Sequence, residues 1–119
     1  MEFLEKVHFT NEFWIIILPL ILMALDVISG YVNAAIKKET SSSVMRKGLG
    51  HKFAEIVYIA LGLLISLAFG VKQIEYFISI YIIVMEVISI LENCEKLGLK
   101  TPNAVKEKVN EVKEEIDKE

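Results

Sequence analysis

Three long apolar stretches, Phe13–Ile36, Phe53–Val71 and Ile74–Leu91, constrain this chain more than any other feature. At ~1.5 Å of rise per residue, their 24, 19 and 18 residues make helices of roughly 36, 28 and 27 Å. A hydrocarbon core is about 30 Å thick, so the last two match it and the first must tilt or protrude. Both chain ends and one connecting segment are polar. A bilayer selects for such segregation, because loops must stay wet and spans dry. A soluble three-helix bundle is the alternative, but the run Trp14–Leu25 offers it no polar face. The chain is 54% hydrophobic with a mean hydropathy of +0.48, in excess of an ordinary soluble domain. The expected fold is all-α: an integral membrane protein with three transmembrane helices and a charged cytoplasmic C-terminal helix.

The net charge of −3 is unevenly spread. The segment 37–52 carries Lys37, Lys38, Arg46, Lys47 and Lys52 against Glu39, whereas the start of the chain carries Glu2, Glu5 and Glu12 against Lys6. The excess of positive charge places that first loop in the cytoplasm and the N-terminus outside. Three crossings return the C-terminus to the cytoplasm, where Lys96 and Lys100 follow the last span. Expected units are therefore a polar extracytoplasmic tail (1–12), a three-helix transmembrane domain (13–97, with spans near 13–36, 53–71 and 74–91) and a charged tail (98–119). The first eleven residues lack a basic n-region, so the first helix is expected to stay as an uncleaved anchor. Cys94 is the only cysteine, which precludes an internal disulfide.

Local signals refine the outline. Pro19 removes a backbone donor inside the first helix and is expected to kink it. Ser41–Ser43 are suited to cap a short interfacial helix around Val44–Leu49, ended by Gly48 and Gly50. Only Gly70, Val71, Lys72 and Gln73 separate the second and third spans, a length that dictates an antiparallel hairpin. Glu75, in the first turn of the third helix, suits the positive end of the helix dipole and is expected at the surface. Gly98 is expected to end that helix's extension, and Thr101-Pro102 reads as an N-cap followed by proline at the first helical position. Val105, Val109, Val112 and Ile116 then form a narrow apolar stripe on a charged helix, fitting a solvated or membrane-skimming helix or a short coiled coil.

Helical spacing also sorts the polar residues of the spans. Asp26, Ser29, Gly30, Asn33 and Ala34 share one side of the first helix. Glu55, Gly62, Ser66 and Gly70 share a side of the second, and Ser79, Glu86, Ser89 and Asn93 a side of the third. Small residues let helix backbones approach and hydroxyls bridge them, so these strips serve either as packing seams or as faces toward water or sister copies. The carboxylates decide more than the small residues do, since an ionised acid at mid-bilayer costs ~2.5–3.5 kcal/mol on insertion scales. Asp26 lies midway along its span. Glu55 and Glu86 lie nearer the cytoplasmic ends, within reach of Lys52 or of a neighbouring copy's lysine. The basic residues Lys37, Lys38, Arg46, Lys47 and Lys52 fit topology and anionic headgroups rather than nucleic acid.

No catalytic set is recognisable. His8 and His51 lack partners at metal spacing, and neither a phosphate cradle nor a nucleophile–base pair is present. The chain is expected to be no enzyme and to carry no cofactor or metal.

The order "LDVISGYVNAAIKKETSSSVMRKGLGHK", an apolar span, then "YIIVMEVISILENCEKLGLKTPNAV" resembles the phage-lysis and toxin-secretion holins of the phage holin family 4 type. That family's Asp–x–x–x–Gly falls on Asp26 and Gly30, and its serine-rich basic loop on Ser42–Lys52. Its Glu–x–x–Ser–x–x–Glu–Asn falls on Glu86, Ser89, Glu92 and Asn93, and its Gly and Pro of the tail on Gly98 and Pro102. His51 stands where the family often has lysine. The resemblance covers roughly Leu25–Val105. It implies a small inner-membrane polypeptide that self-assembles and opens the membrane to an endolysin or a large toxin, with the lipid bilayer and further copies as partners. Two other functions fit the residues: a small proton-coupled transporter using a membrane carboxylate, and a non-catalytic membrane scaffold.

Overall fold

A computed structural model describes residues 12–38 and 42–118, with the backbone alone for 42–47. The calls on His8, Ser41 and the N-terminal tail through residue 11 lie outside the described residues, as do the side chains of Arg46 and Lys47. Four helices follow in order: α1 (Trp14–Lys37), α2 (Ser42–Phe69), α3 (Lys72–Lys96) and α4 (Asn103–Asp117). No strand occurs among the described residues. Trp14–Lys37, Gly48–Phe69 and Lys72–Lys96 are each long and apolar enough to cross a membrane, so the three expected spans are present.

α3 is the central element, packed against both α1 and α2, which touch each other little. Patterning in these helices is inverted relative to a water-soluble bundle. Phe53, Leu64, Leu67 and Ile28 are exposed, while Asp26, Asn33, Glu55, Ser66, Ser79 and Glu86 are buried. A helix whose outside is apolar and whose inside is polar is stable only where the surroundings are hydrocarbon.

Pro19 is accommodated inside an unbroken α1. Its missing N–H leaves the carbonyl of Ile15, four residues earlier, without its helical donor. The Ser79 hydroxyl on α3 donates to that oxygen at 2.6 Å, with Ser79 2% and Ile15 1% exposed. A proline on one helix is thus matched by a serine on another.

The basic segment is less of a loop than expected. α2 already begins at Ser42 and runs through Gly48 and Gly50 without a break, so the separate interfacial helix does not exist. A glycine costs a helix interior only ~1 kcal/mol, which 28 residues absorb. α1 ends with Lys38 in the left-handed conformation (φ 55°), its amide reaching the Ala35 carbonyl.

The α2–α3 hairpin is as expected but tighter, with Gly70 and Val71 alone between the helices. Gly70 has φ +70° and is exposed, so it makes the turn and does not belong to the polar strip of α2. Gly62 does belong to it. A Cβ there would lie 3.1 Å from Ile78 Cδ1 and 3.5 Å from Glu75 Cα, so the missing side chain lets α3 come close. That approach also corrects the expectation for Glu75, which is 8% exposed because α2 covers it. The exposed Lys72 pairs with Glu12, tying the start of α3 to the chain before α1.

α3 ends in a Schellman arrangement. The Gly98 amide bonds the Glu95 carbonyl, and the Leu99 amide the Cys94 carbonyl, both at 3.0 Å, with Gly98 at φ +100°. Pro102, not Thr101, then holds the N-cap position of α4, one residue later than expected. Thr101 is buried instead and hydrogen-bonds the Glu95 carboxylate. α4 is neither solvated on all sides nor paired as a coiled coil. It folds back onto α3, where Ile116 and Val112 pack with Ile80, Val84, Phe77 and Ile88.

Candidate functional site

The polar strips of the three long helices converge on one ammonium. Lys52 Nζ lies 2.6 Å from Asp26 Oδ2 on α1 and 2.6 and 2.5 Å from the two oxygens of Glu86 on α3. Glu55, one turn along α2 from Lys52, is 3.7 Å away. Lys52, expected to face headgroups yet also within reach of Glu55 and Glu86, turns inward to the acids, its side chain only 17% exposed. The reason is positional. In a continuous α2, Lys52 lies inside the helical span rather than in a loop, on the same face as Glu55.

Asp26 is the most fully bonded of the acids. Its Oδ1 accepts from Ser89 Oγ at 2.6 Å and Asn93 Nδ2 at 3.0 Å, leaving Oδ2 to Lys52. Asn93 Nδ2 also reaches Ser29 Oγ at 3.0 Å and the Asp26 carbonyl at 3.3 Å, and the Ser29 hydroxyl donates to that carbonyl at 3.1 Å. Gly30 faces Asn93, but a Cβ there would meet Asn93 Nδ2 at an ordinary 3.5 Å, so the approach does not require the glycine. An ionised carboxylate is an acceptor only, and the donors gathered on Asp26 are those it needs.

Depth agrees across the helices. Asp26 lies eleven residues before Lys37, roughly 17 Å along α1, and Glu86 ten before Lys96, roughly 15 Å along α3. The cluster therefore lies inside the spans, toward the end where α1 meets α2. A charge there is tolerated because an opposite charge is bonded to it.

The strips are only partly united. Asp26, Ser29, Gly30, Glu86, Ser89 and Asn93 meet around Lys52, whereas Gly62, close to α3, and the buried Ser66 lie farther along α2. Asn33 is buried with no hydrogen-bond partner on Oδ1. Lys37 and Lys38 are exposed at the end of α1, as headgroup contacts require. Sequence reasoning assigned Ser79 only to a strip. The signal for its partner was Pro19, whose orphaned carbonyl needs a donor. Among the described residues no His/Cys/Asp/Glu group is arranged to hold a metal ion.

Three carboxylates, one ammonium and a set of amide and hydroxyl donors thus fasten α1, α2 and α3 together. No nucleophile is activated by them. The arrangement hides, within one copy, the polar surface that each helix would otherwise show to lipid.

The bacteriophage holin family matches residues 6–114. A curated relative from Clostridium perfringens, an uncharacterized 14.9 kDa protein in the nagH 3′ region, is 27% identical over 95 residues, which cover 78% of this chain and 72% of its own. No solved structure is significantly similar. A match over nearly the whole sequence, on three membrane-crossing helices, means that this chain is a membrane protein belonging to the bacteriophage holin family.

Proposed function

We propose that the chain acts as a holin. It accumulates in the bacterial cytoplasmic membrane, N-terminus outside and C-terminus inside, self-associates, and opens lesions through which an endolysin or a large toxin leaves the cell. The observation that carries this reading is the Lys52 cluster, because it gives one copy two ways to satisfy its polar strips. Closed, the acids bond Lys52 inside the copy and the outer faces of α1 and α2 are apolar. Opened, the same strips face water shared with neighbouring copies, which removes the cost of charge in hydrocarbon. One copy has too few polar faces to surround a wide lumen, so the open state needs many.

Induced expression in bacteria tests this, with release of a cytoplasmic enzyme as the readout. Native chain should arrest growth and release the enzyme. Asp26→Asn keeps an acceptor for Ser89 but removes the charge facing Lys52, so the closed form weakens and release should begin earlier at equal expression. Unchanged onset removes Asp26 from the mechanism. Failure of the native chain to release protein refutes the pore.

A further inference from the structure

Glu55 is the acid that the Lys52 ammonium reaches least closely, at 3.7 Å. The Lys52 hydrogen bonds go to Asp26 and Glu86. Glu55 is 7% exposed, and neither carboxylate oxygen has a hydrogen-bond donor. His51 Nδ1 comes within 2.8 Å of Oε1, but not in hydrogen-bond geometry. A buried carboxylate with its ammonium at 3.7 Å and no hydrogen-bonded donor keeps lone pairs open to a further cation.

Its surroundings are those of a binding site. Glu55 lines a cleft of about 240 Å³ between α2 and α3, whose other walls are His51, Ala54, Tyr58, Tyr81, Ile82 and Met85. Two tyrosine rings and a thioether beside a carboxylate form an apolar, π-rich chamber with one negative pole. Aromatic walls attract an ammonium or guanidinium through the ring quadrupole, and an ion on an apolar body also gains from the greasy lining. A bare metal ion is a poor match, since Glu55 would be its only hard ligand. His51 is two-thirds exposed, with Nδ1 over the carboxylate.

We propose that this cleft binds an organic cation, an ammonium or guanidinium on an apolar stem, with Glu55 as its counter-ion and Tyr58 and Tyr81 as its walls. The cation is either a small molecule or the basic side chain of a neighbouring copy. The site does not depend on the pore reading, because it is complete within one copy.

The test titrates phenyltrimethylammonium into the purified full chain in maltoside micelles, which contain no ammonium, and follows binding by calorimetry. Saturable binding at one per chain is expected, whereas tert-butylbenzene, its neutral isostere, should partition without saturating. Glu55→Gln should weaken the cation at least about tenfold, since it removes the charge from a charge-assisted contact. Tyr81→Ala should weaken it roughly two- to fivefold. His51→Ala, which uncovers the carboxylate, should tighten it. If a neighbouring copy supplies the cation, the added ligand also shifts the oligomer to smaller species. If a small molecule does, size is unchanged. Native-like binding by Glu55→Gln with native helicity, or equal saturation by the neutral isostere, overturns the proposal.

Discussion

The seam among α1, α2 and α3 and the seam between α3 and α4 are built on opposite rules, yet they share a helix. The first buries Asp26, Glu55, Ser79 and Glu86 and turns leucine, isoleucine and phenylalanine outward. The second buries Ile116 and half-buries Val112, and turns Lys108, Glu111, Lys113 and Glu115 outward. The first rule belongs to hydrocarbon and the second to water. Ile80, against which Ile116 packs, lies 16 residues from Lys96, about 24 Å down a helix that itself qualifies as a membrane span. Charges of α4 at that depth would each cost ~2.5–3.5 kcal/mol in lipid. Docked α4 and lipid on that face of α3 therefore exclude each other. Docking requires that the face be wet, and its state reports which side of α3 meets water.

The largest effect is expected in the first seam. Lys52→Met leaves three buried carboxylates without their ammonium, and breaking a buried pair in this way costs ~3–5 kcal/mol. The folded fraction in detergent should fall sharply, as read by thermal unfolding. Lys52→Met combined with Asp26→Asn and Glu86→Gln should regain most of it, because the uncompensated charge is then reduced. A single variant as stable as the native chain would mean that the ammonium does not hold the helices together.

Ile116→Asp makes the corresponding break in the second seam. Losing one buried isoleucine costs about 1.5–3 kcal/mol, and the new charge adds to it. α4 should undock and become open to trypsin at Lys106, Lys108 and Lys113, while α1–α3 keep their unfolding temperature. If the melting point of the whole bundle falls as well, the two seams are one cooperative unit and the comparison fails.

These experiments also bear on what could be read from residues alone. The three spans, the hairpin at Gly70 and the strips with Asp26, Glu55 and Glu86 were legible, because apolar length and helical spacing are local properties. Lys52 was legible as a reachable partner of Glu55 and Glu86, but not as the group that also bonds Asp26. Whether a lysine belongs to a loop or a helix depended on Gly48 and Gly50, and glycine lowers helix propensity without forbidding a helix. Glu75 was misjudged for a related reason: its burial follows from its closeness to Gly62 on another helix, which its own helix's spacing does not reveal. The stripe Val105–Ile116 was visible as a pattern. Its partner on α3 was not, since an apolar face does not name what covers it.

Pro19 and Ser79 allow a more pointed experiment of intermediate size. Ser79→Ala strands the Ile15 carbonyl and should cost about 1–2 kcal/mol. In a Pro19→Ala background the helix supplies its own donor, so the same substitution should cost almost nothing. The coupling between the two sites, read from a double-mutant cycle, measures the interhelical bond itself. Additive effects would show that the hydroxyl does not serve the proline's missing bond.

The smallest expected effect lies at the edge of the second seam. Lys106 on α4 pairs with Glu95 on α3 at 2.9 Å, both side chains exposed, and solvent screening leaves such a pair little weight. Lys106→Gln should therefore leave global unfolding unchanged. What it should alter is local. Glu95 also bonds Thr101 at the turn, so the pair helps fix the angle at which α4 leaves α3. Amide exchange through α4 should accelerate by up to about fivefold, while α1–α3 exchange as before. High salt should give the native chain the same acceleration, because exposed ion pairs are screened. Equal acceleration in α1 and α2 would show that the seam of charges and the seam of acids open together, and that α3 does not separate them.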